Sequence, residues 1–406
     1  MSKKNKQNEI VVSLDIGSSK VLVIVAENTE EGLRVLGYGM EPSLGVKQGV
    51  VVHMDETIKA ISKAVETASL VSDVRIDVVS VGISGTHISS LNSKGRVSIS
   101  HNEVDKDDIR RVLTNAEAIT IPANQEILHV LPQSFIIDSK TNLDEPLGMH
   151  GDVLEAKAHV VTGDSSAIKN IVKSVEQCGL KASDIILEPL AAAESCLTKD
   201  EKDLGVCLLD IGSGITNISV FVNGSIVHTN VLPIAGGLVT DDLVYAFTTS
   251  YKNAEVLKKQ HGCALAELIK DEELIEVEHI SDGQMRKLTK RTLAEVIEAR
   301  YDEIFTAVKD DLKLNGYESL ISAGIVLTGG AANIDGCSYL AESIFNKPVR
   351  LAQNKSVTGL DNMIVNPSFS VGIGLLLFEG KQEKHSLFLF KQNNWIDKVK
   401  KWLSHF

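Results

Sequence analysis

The pentapeptide Leu14-Asp15-Ile16-Gly17-Ser18 returns as Leu209-Asp210-Ile211-Gly212-Ser213, and no other feature narrows the possible folds as far. Each copy leads into a second apolar, β-prone run. The first continues Lys20-Val21-Leu22-Val23-Ile24-Val25, and the second Ile215-Thr216-Asn217-Ile218-Ser219-Val220-Phe221-Val222. The pattern predicts a strand, a tight Gly/Ser turn and an antiparallel return strand in each place. The copies lie 195 residues apart, counted from Asp15 to Asp210, too far for a solenoid period. Two related halves facing one another is the simpler arrangement. Short β-rich runs alternate with helical patterns along the rest of the chain, which reads as α/β.

The 406 residues are enough for two or more buried cores. Hydrophobic residues make up 43% and charged residues 23%, as in ordinary globular proteins. A formal charge of -13 argues against the general basic field that draws in nucleic acid, so no nucleic-acid partner is expected. Cys178, Cys196, Cys207, Cys263 and Cys337 are scattered, with no CxxC pair. They read as small buried hydrophobes in a reducing cytosol, not as a disulfide framework or zinc site. Residues 1–9 are polar and lack the apolar core of a secretion signal. No segment approaches the ~20 apolar residues that span a bilayer. No Ser/His/Asp or Cys/His nucleophile pattern is evident.

Between the two copies, strand-like runs at 78–84, 96–100, 127–137 and 156–162 surround a helical run at 107–118, the pattern of a small inserted α+β subdomain. Residues 172–178, 189–197, 253–267 and 292–314 read as helices. Residues 324–336 read as a strand running into a glycine-rich turn. After Gly380 a polar stretch at 381–385 gives way to a brief apolar run at 387–390, which has no clear place, and then to a distinct segment at 393–406.

The repeated turn has a chemical rationale. Without bulky Cβ atoms, backbone N–H groups can approach phosphate oxygens closely. Ser18, Ser19 and Ser213 add hydroxyl donors, Lys20 a cation, and Gly17, Gly212 and Gly214 the room. Asp15 and Asp210 suit the water shell of Mg²⁺, which favours carboxylates plus retained waters. Either turn alone reads better as a plain hairpin, since short motifs match often by chance. The repeat strengthens the phosphate reading, and so does the third element. There a strand ending in Thr328-Gly329-Gly330-Ala331 would let adenine lie flat against backbone.

Together these three elements resemble the phosphate and adenosine motifs of the actin, hexokinase and heat-shock chaperone superfamily. Ser322-Ala323-Gly324-Ile325-Val326-Leu327-Thr328-Gly329-Gly330-Ala331, His261-Gly262-Cys263-Ala264 and Thr292-Leu293-Ala294-Glu295-Val296-Ile297-Glu298 narrow the resemblance to the bacterial cell-division family FtsA. It runs from about residue 10 to the C-terminal end. It implies an actin-like (ribonuclease H-like), two-lobed α/β fold of four subdomains. Subdomain 1A would be 10–84 with 162–195 and 356–380, and the inserted 1C 85–161. Subdomain 2A would be 196–231 with 311–355, and 2B 232–310. A linker would occupy 381–392 and an amphipathic helix 393–406. The implied cofactors are ATP and Mg²⁺. Within Ala254-Glu255-Val256-Leu257-Lys258, Glu255 and Lys258 are similar to residues that approach ribose and adenine in bacterial actins. Glu188-Pro189-Leu190-Ala191-Ala192-Ala193 resembles the segment in the bacterial actin MreB whose Glu orients the attacking water. Many FtsA chains lack a Glu there, so Glu188 stands as a hypothetical catalytic residue beside a plain helix-start carboxylate.

The chain's two tryptophans both fall in its last 12 residues. Trp395, Ile396, Val399, Trp402, Leu403 and Phe406 share one helical face, and Lys398, Lys400 and Lys401 lie opposite. That is the pattern of a helix lying in an anionic membrane surface. A helix this short orders only on the bilayer, so monomers should anchor weakly and oligomers strongly through avidity. The resemblance implies a slow ATPase at most. It also implies filaments of the chain with itself, attachment at the cytoplasmic face of the inner membrane at the septum, and recruitment of later division proteins. The tubulin-like partner FtsZ would be held by its C-terminal tail. Arg291, Glu295, Arg300 and Tyr301 fall where that family binds the tail, and the two arginines can grip carboxylates bidentately. Two alternatives stay open. One is a pilus-assembly scaffold binding a membrane-protein peptide, against which the tail counts. The other is a sugar kinase or chaperone, for which no substrate carboxylate can be identified.

Overall fold

The computed structural model describes residues 9–380 except 30–31, 139, 271–272, 355–356, 360–362 and 364. The expected linker and amphipathic segment, with Trp395, Ile396, Lys398, Val399, Lys400, Lys401, Trp402, Leu403 and Phe406, lie outside the described residues.

Both copies of the repeated motif form β-hairpins. Glu9–Ile16 pairs antiparallel with Lys20–Thr29, and Val206–Ile211 pairs antiparallel with Thr216–Val222. Each hairpin is the heart of a larger sheet. The first sheet runs Gly32–Pro42, Lys20–Thr29, Glu9–Ile16, Val78–Ile83, Lys181–Leu187, with the short Val357–Thr358 beyond its outer hairpin edge. The second runs Ser225–Leu232, Thr216–Val222, Val206–Ile211, Ile325–Thr328, Val349–Leu351. In both, two antiparallel pairings are followed by two parallel ones. The central strands are buried along most of their length because helices cover both faces. On the second sheet, Lys290–Leu314 buries Leu293, Ile297, Tyr301, Ile304, Phe305, Val308 and Leu312 along one stripe.

The insert between Val78–Ile83 and Lys181–Leu187 is an antiparallel sheet in the order Ile88–Ser98, Val153–Asp164, Gln125–Ile137, Lys140–Leu143. Helix Lys106–Glu117 covers one face, started by a reciprocal Asp105–Asp108 capping box. Its first strand begins eight residues before the expected 96–100 run, at Ile88. Ser89, Ser90, Asn92 and Ser93 hide it from periodicity because their partners are polar. Ser90 Oγ donates to the Thr229 carbonyl (2.9 Å) and Asn92 Nδ2 to the Val227 carbonyl (3.0 Å) of the second lobe. The expected helix 253–267 is Tyr251–His261 and stops there. Past Gly262 the chain leaves to bridge Cys263 to Asp335, and Ala264 N–H donates to the Asp335 carbonyl at 2.7 Å. That tertiary contact overrides a favourable helical pattern. Among the described residues the cysteines are free, and all but the partly buried Cys178 are buried.

Candidate functional site

The two hairpin turns close alike. Gly17 N–H donates to the Lys20 carbonyl at 2.9 Å, and Gly212 N–H to the Ile215 carbonyl at 3.0 Å. Register sets Asp15 opposite Leu22 and Asp210 opposite Asn217. Both aspartates stand one residue before the end of a central strand, and both line a cavity of about 650 Å³ between the lobes. The turns nearly touch. A Cβ at Gly214 would lie 2.6 Å from Ser18 Oγ and 3.1 Å from Gln48 N, so a side chain at that point would wedge the lobes apart. Across the joint, Ser84 Oγ donates to Asn217 Oδ1 at 2.6 Å, and the Asn217 amide reaches Asp210 Oδ2 at 3.5 Å.

Glu188 stands at the start of helix Glu188–Cys196, at the exit of the first sheet's outer strand, and borders the same cavity. Around the two turns the cleft thus gathers Asp15, Asp210 and Glu188, with Lys20 beside them. Burial raises the affinity of Asp15 for its proton. Burial, reinforced by Asp15, pushes Asp210 up to about 6. Burial and then the two aspartates raise Glu188 well above the usual carboxylate range. Burial likewise lowers Lys20, against the pull of Asp15 and Asp210. Lys20 Nζ donates to the Ser368 carbonyl and sits 4.9 Å above the Phe369 ring. Such a cluster is short of positive charge, and a divalent cation would relieve it. Among the described residues no three His, Cys, Asp or Glu side chains are grouped to ligate a metal directly. The donor set fits a hydrated Mg²⁺ held through water by Asp15 and Asp210.

The far wall comes from the second lobe. Lys258 Nζ pairs with Glu255 Oε2 (2.7 Å) and donates to the Gly236 carbonyl (2.8 Å) and Thr240 Oγ1 (2.6 Å). Gly329, Gly330 and Ala331 follow strand Ile325–Thr328 onto the same cavity. The structure therefore brings Asp15, Gly17, Ser18, Ser19, Lys20, Glu188, Asp210, Gly212, Ser213, Gly214, Glu255, Lys258, Gly329, Gly330 and Ala331 to one cleft. Sequence reading missed Asn217, Asn333, Pro367 and Ser368, which line it too. Asn217 stood inside the quoted repeat, opposite Asp210, and the register could have flagged it. Pro367 and Ser368 carry no local signal.

The four expected peptide contacts fare differently. Tyr301 is 1% exposed, and its hydroxyl donates to the Ala331 carbonyl at 2.6 Å. It braces the cleft floor and is not a surface contact, which corrects the expectation. It falls on the inward stripe of helix Lys290–Leu314, whereas Arg291, Glu295 and Arg300 do not. Arg291 Nε lies 3.4 Å from Glu295 Oε1. Arg300 grips Asp242 through Nε (2.6 Å) and Nη2 (2.7 Å) and also pairs with Glu303. Asp242, Glu295, Arg300 and Glu303 help line a surface groove of about 500 Å³. Its cation is already occupied.

Two lobes built on matched sheets, with a charged cleft between paired hairpins, define the class of actin-like ATPase-fold proteins. Solved structures agree on the fold. The PilM–PilN type IV pilus biogenesis complex matches with a TM-score of 0.65 at 15% identity, over 91% of this chain and 98% of that one. MreB5 of Spiroplasma citri bound to ADP matches at 0.57 and 16% identity, over 93% and 98%. The chain belongs to the FtsA family of cell-division proteins. The family model "Cell division protein FtsA" matches residues 207–374, and "SHS2 domain inserted in FTSA" matches residues 85–162. Cell division protein FtsA of Pseudomonas aeruginosa is 50% identical over 92% of this chain and 90% of its own length. That of Neisseria meningitidis serogroup B is 42% identical over 91% and 90%.

Proposed function

We propose that this chain is an ATP-binding, filament-forming tether of bacterial cell division. It holds FtsZ by the C-terminal tail, attaches to the cytoplasmic face of the inner membrane through residues 393–406, and helps recruit later division proteins. Family membership carries this reading. The cleft supports its nucleotide part, as does the ADP bound to an actin-like protein of the same fold.

Each cleft residue then has a task. Turn N–H groups, with Ser18, Ser19 and Ser213, take phosphate oxygens. Lys20 exchanges the Ser368 carbonyl for a phosphate. Asp15 and Asp210 hold the water shell of Mg²⁺, which when bound neutralises phosphate charge. Glu255 and Lys258 border the nucleoside. With the aspartates offset, Glu188 ionises more readily, and it orients and deprotonates a water for slow hydrolysis. Attachment falls to residues 393–406, whose sequence sets an aromatic and aliphatic face against three lysines.

Co-flotation with anionic vesicles tests the tether. The intact chain should float and carry FtsZ with it, and Trp402→Glu should do neither. If the intact chain stays in solution, the reading is overturned. The groove has its own check by titration with an FtsZ tail peptide. A peptide carboxylate must displace Asp242 from Arg300, so Asp242→Asn should tighten binding and Arg300→Ala should weaken it. Unchanged affinity in both would remove Arg300 from the interface.

A further inference from the structure

Strand Gln125–Ile137 of the insert touches Lys181–Leu187, the outer strand of the first sheet. An outer strand presents N–H groups with no ladder partner. At its last residue the Leu187 N–H donates to His129 Nε2 at 3.0 Å, with both residues buried. A buried N–H left without an acceptor would be destabilising, so this contact is part of how the strand can end there. For Nε2 to accept, the imidazole must be neutral with its proton on Nδ1. Burial lowers the His129 pKa to about 4, which keeps it neutral at cellular pH.

Leu187 is also the residue from which helix Glu188–Cys196 springs, with φ -59° and ψ 123° and no side chain capping the turn. The next residue is Glu188, whose Cγ would lie 3.2 Å from any Cβ placed on Gly82. Apolar packing joins Leu187 to Val161, which pairs across from His129. Packing and steric fit tolerate small slides of the chain, whereas a hydrogen bond to the peptide just before Glu188 fixes direction.

We propose that His129 is a positioning residue for Glu188: the insert, through one imidazole–backbone bond, sets where the first lobe holds its cleft carboxylate. The proposal rests on the reading of Glu188 as the water-orienting group. It gives the insert a part in the chemistry of a cleft that it does not line.

The test is MgATP turnover by the full chain, with kcat and KM measured separately. Glu188→Gln should lower kcat by about 100-fold. His129→Phe, which keeps bulk and loses the acceptor, should lower kcat about tenfold or more with KM within about threefold. His129→Gln restores an acceptor at similar reach and should return kcat to within about threefold of the unaltered chain. The double variant His129→Phe/Glu188→Gln should be no slower than Glu188→Gln alone, since His129 acts through that carboxylate. If His129→Phe does not fold, His129→Asn, whose amide is too short to reach Leu187, takes its place. Faster hydrogen exchange at Leu187 in either variant is expected. An unchanged kcat in the His129 variants, or losses that multiply in the double variant, would overturn the proposal while Glu188 keeps its role. Full turnover in Glu188→Gln, or none in the unaltered chain, would instead sink the water-orienting reading and the proposal with it.

Discussion

The two lobes share a sheet order and a turn geometry, yet their equivalent positions carry different chemistry. The turn's closing carbonyl belongs to Lys20 in the first lobe and to Ile215 in the second. Opposite the aspartate stands Leu22 in the first and Asn217 in the second. The first lobe therefore brings Lys20 and, just past its outer strand, Glu188. The second brings an amide that touches both Asp210 and Ser84, together with the Glu255–Lys258 wall. Backbone symmetry sets where two carboxylates converge, and the asymmetry of side chains gives the first lobe Lys20 and the second the Glu255–Lys258 pair.

The aspartates are where that comparison is most easily broken. Asp15→Asn and Asp210→Asn should each lower MgATP turnover by about 100-fold or more, as for loss of a preorganised electrostatic contact. Full activity in either variant would end the equivalence of the hairpins. A second effect runs the other way. Asp210 titrates near 6 when folded against an ordinary 3.8, so the folded protein holds this proton more tightly than the unfolded chain does. The stability this confers is complete below pH 3.8 and is lost as pH rises through 6. Asp210→Asn should accordingly stabilise the nucleotide-free protein at pH 7.5 by up to about 3 kcal/mol, with no gain near pH 3.5, by urea denaturation. A destabilised variant at pH 7.5 would mean that Asp210 is ionised and well paired without a ligand.

Smaller effects sharpen the picture. Gly214→Val should weaken nucleotide binding about tenfold by calorimetry because its side chain meets Ser18, while Ser19→Ala at an exposed position should stay within about threefold. Equal losses would show that the turns are equally crowded. Last, Tyr317→Phe removes a 3.0 Å hydrogen bond to the Val227 carbonyl, beside the joint between insert and second lobe. It should cost about 1 kcal/mol of stability and leave turnover unchanged.

Much of this was legible in the sequence because its signals are local. A repeated Asp-Ile-Gly-Ser flanked by apolar runs fixes two hairpins, and a strand ending in Gly-Gly fixes the third wall. What escaped depends on partners far along the chain. Tyr301 and Arg300 are neighbours in sequence, but helical phase turns one inward to Ala331 and leaves the other at the groove beside Asp242. The strand from Ile88 shows no apolar period before Arg96 because its polar residues meet another lobe. His129 sits in an apolar run with nothing to mark it, and its partner lies 58 residues away.

The stretch from Asn366 to Ser370 is where the two lobes are pinned together. Gly329 N–H and Thr328 Oγ1 both donate to the Pro367 carbonyl, at 3.3 and 3.2 Å. Lys20 reaches Ser368, Ser195 Oγ donates to the Ser370 carbonyl at 2.8 Å, and Ser370 Oγ donates to Asn354 at 2.7 Å. Helix Ser370–Gly380 leaves directly from this knot, toward the end of the chain. A tension applied beyond residue 380 would travel along that rod into a joint bolted to both lobes and to the lysine of the phosphate turn. The root of that helix is thus geared to the cleft, because the same knot holds Lys20 and Gly329.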